Sequence, residues 1–118
     1  PSGLYANLTG KWNLYSESGG FVFLFEIKNR LSTLGSMLDW EEAMPQTLGS
    51  VIARPDIGIR KFRDVIIKNV DARITLPSET DPTMWGYSIV LGKYLVITTS
   101  ETALKDIGER IVAGPLNE

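Results

Sequence analysis

YSIVLGKYLVITTSETALKDIGERI, residues 87–111, is the most strongly patterned stretch of the chain. Trp85, Tyr87, Ile89 and Leu91 alternate along the chain, the period-two signature of a strand. Gly92-Lys93 then reads as a two-residue hairpin turn, with glycine first as type II′ requires. YLVITT (94–99) returns as the second strand. From about residue 101 the period changes. Leu104, Ile107 and Ile111 fall at i, i+3 and i+7, which predicts a helix to about residue 112. Asp106 and Arg110 form an i, i+4 pair on it, and Gly114-Pro115 is a stop signal.

Between strand and helix lies TTSET, residues 98–102. A helix N-terminus attracts anions, but loops that exploit this carry glycines so that backbone can approach the ligand. None stands between Gly92 and Gly108. TTSET therefore reads as capping: Ser100 as N-cap with Glu101 in the first turn, or Thr98 and Glu101 as a capping box.

Working outward, FVFLFEIK (21–28) is a strand, apolar on both faces over 21–25 and so expected in the middle of a sheet. ESGG (17–20) turns into it from a strand at GKWNLYS (10–16), and residues 1–9 read as a loose lead-in. After it, Leu31, Leu34 and Leu38 predict a helix over about 31–44, capped by Asn29 or Ser32 and ended by Pro45. A short helical turn covers 46–52. VDARITL (70–76) alternates cleanly, while KFRDVIIKN before it either pairs with it through a Lys68-Asn69 hairpin or runs on as one bent strand. RPDIG (54–58) and PSETDPT (77–83) are loops.

These elements give a single α+β domain over 1–118, in the order β-β-α-β-(β)-β-β-α. A mainly antiparallel sheet of five or six strands is expected, with two helices on one face. A profilin-like or longin-like ββαβββα order and a ferredoxin-like split βαβ with additions are both compatible.

Composition narrows the chemistry. The chain holds 118 residues with no Cys and no His. Disulfides, thiolate nucleophiles and Cys-based metal sites are excluded, and the commonest general base and transition-metal ligand is missing. Net charge is −2, so no basic field holds nucleic acid or an anionic membrane. The longest apolar run, FVFLF, is five residues, far short of the roughly 20 a membrane-spanning helix needs. The chain opens on Pro1, as a fragment or processed product does, with any anchor lying outside it.

Three groups of residues are candidates for function. DWEEAM (39–44) sets Trp40 among Asp39, Glu41 and Glu42, and an aromatic among charges suits a protein contact. On a helix Asp39 and Glu42 share a face and Glu41 points elsewhere; otherwise the run is a solvated helix face. Trp12, in the weakest strand, is the best candidate for an exposed aromatic, whereas Trp85 reads as core. Arg54, Arg60, Lys61 and Arg63 form a basic patch with one aromatic, Phe62, diluted by Asp56 and Asp64. That suits an acidic partner better than a nucleic acid.

The pattern of residues 87–111, together with GGFVFLFEIKN and WEEAMPQTL, resembles the extracytoplasmic domains of uncharacterised bacterial single-pass membrane proteins. The resemblance spans residues 19–112 in outline. It implies a place outside the cytoplasm, behind an N-terminal anchor beyond this chain, and it brings no catalytic residues. The expected function is non-enzymatic, needs no cofactor, and works through contact with a protein partner or a second copy. The alternatives are a small-ligand sensor of profilin-like or longin-like topology and, for location, the cytoplasm.

Overall fold

The structure, a computed structural model, describes residues 2–17, 20–51, 61–67, 70–75 and 84–106. A six-stranded antiparallel sheet forms the middle of the molecule, so the fold is α+β. Its strands are β1 (Leu8–Glu17), β2 (Gly20–Ile27), β3 (Phe62–Ile67), β4 (Val70–Thr75), β5 (Gly86–Val90) and β6 (Tyr94–Thr98). Their order across the sheet is β1-β2-β6-β5-β4-β3. The chain from β2 to β3 therefore passes three intervening strands, not the single strand of a split βαβ. Ile67 opposite Val70 shows that β3 and β4 are a hairpin rather than one bent strand.

Among the described residues, three helices precede β3: α1 (Ser2–Ala6), α2 (Arg30–Trp40) and α3 (Met44–Val51). Residues 2–9 of the expected lead-in at 1–9 are thus structured. Helix α1 buries Leu4, and β1 begins at Leu8. Helix α2 starts where Asn29 caps it, its side chain accepting from Ser32 N at 2.9 Å. It stops at Trp40, earlier than Pro45. Pro45 instead sits in the first turn of α3, where a missing N–H costs nothing.

The leucine stripe of α2 is not its buried face. Met37 and Thr33 are buried and Trp40 and Leu34 are half-buried, while Leu31 and Leu38 are 70% and 45% exposed. Residues 33, 37 and 40 form a second stripe, turned by about one residue from the first. Thr33 can face the core because its hydroxyl donates to Asn29 O at 2.7 Å. Burying Met37 completely contributes about 2 kcal/mol.

Two cores result. On one face of the sheet, Phe23, Trp85, Tyr87, Leu95 and Ile97 pack with Leu4, Met37, Met44 and Leu48 from the three helices. On the other, Val22, Ala72, Ile74, Val90 and Val96 pack with Ala103 and Leu104. Residues 101–106 are helical, so the C-terminal helix covers the face opposite α2 and not the same one as expected. The reason lies in β2 and β6, which are apolar on both faces and need a cover on each side.

The β5–β6 turn also differs from the expected Gly92-Lys93 pair. Leu91 and Gly92 both have positive φ, 57° and 64°, and Lys93 N donates to Val90 O at 3.1 Å. Positive φ at both central positions is the primed type I pattern, which matches the twist of the strands. At TTSET, Ser100 is the N-cap: its Oγ accepts from Ala103 N at 3.1 Å and its carbonyl from Leu104 N at 3.0 Å. Thr98 Oγ1 donates to Phe21 O at 2.7 Å and so ties β6 to β2 instead of capping.

Candidate functional site

The register of the sheet builds one cross-strand row on the α2 side. Asp64 of β3 stands opposite Arg73 of β4, Arg73 opposite Tyr87 of β5, and Tyr87 opposite Ile97 of β6. Ile97 continues to Phe23 and Leu14. The row is polar at the β3 end and apolar at the β1 end.

Glu41 closes the polar end from above. It is the first residue after α2, and there its side chain reaches back to the sheet. Arg73 Nη2 donates to Glu41 Oε1 at 2.9 Å, and Nε donates to Oε2. Arg73 Nη1 donates to Asp64 Oδ1 at 2.7 Å. Tyr87 Oη donates to Glu41 Oε2, and its ring stacks obliquely on Phe62 at 5.7 Å. Glu41 and Arg73 are 12% and 22% exposed, and Asp64 is largely in solvent.

The geometry sets the protonation states. Bonding to Glu41 holds the Arg73 guanidinium further above its already high pKa. Burial raises the Tyr87 phenol, and donation to Glu41 raises it further. Neither Arg73 nor Tyr87 is therefore poised to exchange a proton near neutral pH, as a general acid or base should be. The forked guanidinium–carboxylate pair acts as a bolt between α2 and β4.

Beside the bolt lies a groove of about 670 Å³, between Arg30 and Leu34 of α2 and a floor that includes Ile66, Asp71, Tyr87 and Ile89. A second, smaller groove of about 340 Å³ lies on the same face at the β1 end of the sheet, lined by Trp12, Leu14, Phe23, Phe25 and Leu48. Its lining is almost wholly apolar. Trp12, on β1, is 66% exposed there. Among the described residues, strand β1 pairs only with β2 and forms one edge of the sheet.

The candidate residues separate in space. Glu41 turns inward to Arg73 and Tyr87, whereas Glu42 and Asp39 are exposed. Trp40 is half-buried against the helix-side core, so it does not form one open surface with Glu41 and Glu42. Trp85 is fully buried as core volume, its indole N–H without an acceptor among the described residues. Arg54 and Arg60 lie outside the described residues, while Lys61 and Arg63 are exposed at the start of β3. The sequence reading missed Arg73, Tyr87 and Asp64. The alternation in VDARITL marked Arg73 as the polar side of a strand, but only the register shows what it meets.

Among the described residues no group of acidic side chains is placed to hold a metal ion, and no helix is long and apolar enough to cross a membrane. No family model matches this chain, and no curated protein or solved structure matches it.

Proposed function

We propose that this is a non-enzymatic interaction domain that takes an extended segment of a protein partner along the outer edge of β1. The observation that supports this most is the combination at that edge. A ten-residue strand lies at the edge of the sheet, and the exposed Trp12 stands on it beside an apolar groove. Strand addition obtains affinity from main-chain hydrogen bonds and selectivity from pockets for alternate side chains. The groove at Trp12 and Leu14 is such a pocket. Tryptophan in a desolvated pocket is the residue type that most often dominates contact energy.

The test is a selection of binders from a library of extended peptides, read by amide hydrogen exchange. Binders are expected to protect amides of residues 8–17 and to lose affinity with Trp12→Ala. If every binder leaves β1 exchange unchanged, the edge reading is wrong.

A second reading is favoured by the larger groove. Its volume of about 670 Å³ lies within the span usual for small-ligand sites, and it combines Arg30 and Asp71 with apolar floor residues. A ligand that binds only the folded chain raises its stability by about 2.7 kcal/mol at a hundredfold excess over Kd. A thermal-melt screen with no shift for any compound, or shifts unaffected by Tyr87→Phe and Ile89→Ala, counts against it.

For location we propose the extracytoplasmic side of a cell envelope, on the likeness of GGFVFLFEIKN and residues 87–111 to domains of that kind. Protease added outside intact cells should cut the domain in its native full-length product. Full protection would place it in the cytoplasm.

A further inference from the structure

We infer that the larger groove takes a short apolar peptide with both termini free, its ammonium at Asp71 and its carboxylate at Arg30. This rests on the small-ligand reading above and names the class of ligand.

A second cross-strand row forms the floor. Asp71 stands two residues before Arg73 and so on the same face of β4, and Ile66 of β3 is opposite it in the register. Ile89 stands two residues after Tyr87 on β5, one step beyond the Ala72–Ser88 pair, and so beside Asp71. Arg30 and Leu34 of α2 line the same groove. Ile66 is 73% exposed, and Leu34 and Ile89 are half-buried. The lining therefore offers apolar area for a ligand to cover.

Charge decides the ends of that ligand. Arg73 is matched by Glu41 and Asp64. Arg30 and Asp71 are not matched: among the described residues neither side chain has a hydrogen bond or an ion pair. One is a cation on the helix and the other a carboxylate on the sheet, and they do not reach each other. A ligand that meets both carries opposite charges at separate ends of an apolar body.

Arg30 is also held in place. Its stem runs beside the β5–β6 turn, where a Cβ on Gly92 would lie 3.8 Å from Arg30 Cδ. It is the first residue of α2, where the helix dipole also favours an anion. A peptide with free termini has the required form, and capture of a terminal ammonium or carboxylate is a recurring mode of peptide recognition. A groove of about 670 Å³ is the size that takes a drug-sized molecule, which a tripeptide is.

Calorimetric titration of the whole chain with trileucine, its N-acetyl form and its C-terminal amide tests this, on wild type, Arg30→Gln and Asp71→Asn. Both residues are exposed, and the melting curve of each variant checks that it is folded. Blocking either terminus is expected to weaken binding to wild type about fivefold. Asp71→Asn should abolish the effect of the acetyl group and keep that of the amide, and Arg30→Gln should do the reverse. Equal binding of all three peptides to wild type overturns the inference. So does a variant that weakens all three alike. If no peptide binds while a melt screen finds other compounds that depend on Tyr87 and Ile89, the inference fails and the small-ligand reading survives. If neither experiment finds a ligand, both are removed.

Discussion

Arg73 and Glu41 lie 32 residues apart in the chain, and the guanidinium meets both oxygens of the carboxylate. The pair joins the end of α2 to the middle of β4, and Asp64 and Tyr87 complete its bonding. Removing one member of a buried ion pair costs about 3–5 kcal/mol, because a charge is left unpaired. Here Asp64 remains as a partner for Arg73. Glu41→Gln is therefore expected to cost about 2 kcal/mol, read as a lower midpoint of urea unfolding at unchanged slope. A loss below about 0.5 kcal/mol would class the pair with ordinary surface ion pairs.

Tyr87 makes stability depend on alkaline pH. Its pKa is raised in the folded chain, by burial first and by Glu41 second. A raised pKa contributes stability that is complete below the unfolded phenol value of about 10 and is lost as pH rises above it. The unfolded chain releases that proton while the folded one still holds it. The stability difference between wild type and Tyr87→Phe should be constant near neutral pH and shrink above pH about 10. A difference that stays flat into the alkaline range would mean that the phenol is not held as the structure has it.

Leu91 adopts φ 57° on an exposed turn. For a residue with a Cβ this region costs about 1–2 kcal/mol. Leu91→Asn creates the Asn-Gly pair that the primed type I turn prefers. It should raise stability by about 1 kcal/mol, seen as a higher Tm. A lower Tm would show that the Leu91 side chain makes a contact worth more than the strain.

Gly20 begins β2 directly beneath the cap of the C-terminal helix. A Cβ there would lie 2.7 Å from Ser100 Cβ and 2.8 Å from Thr99 Oγ1. Gly20→Ala must push the cap away and should cost about 2 kcal/mol. Ser100→Ala loses the capping bond and should cost about 1 kcal/mol. Because both changes act on one contact, the double variant should lose less than the sum. Strict additivity, measured by the same unfolding curves, would refute the shared contact.

Local pattern carried much of the architecture. Alternation in VDARITL and in residues 85–91, the apolar run of β2, and the caps at Asn29 and Ser100 each reflect a period or a bond set within a few residues. The stripe of α2 was misleading for a reason that is equally physical. Leu31-Leu34-Leu38 and Thr33-Met37-Trp40 are both admissible helical faces, and the sheet accepts one. A threonine that bonds its own backbone is acceptable in a core, while its hydroxyl in the sequence reads as polar.

By itself, then, the sequence determined the class of fold, the β1–β2 and β5–β6 hairpins, the starts of two helices and the absence of thiol and imidazole chemistry, because these depend on neighbours in the chain or on composition. Only the tertiary structure decided which face each helix covers, that α1 is part of the core, and that Glu41, Arg73, Tyr87 and Asp64 share one site. Those outcomes depend on register and strand order, where groups far apart in sequence meet. A carboxylate at 41 reads as solvated until an arginine on β4 stands beneath it.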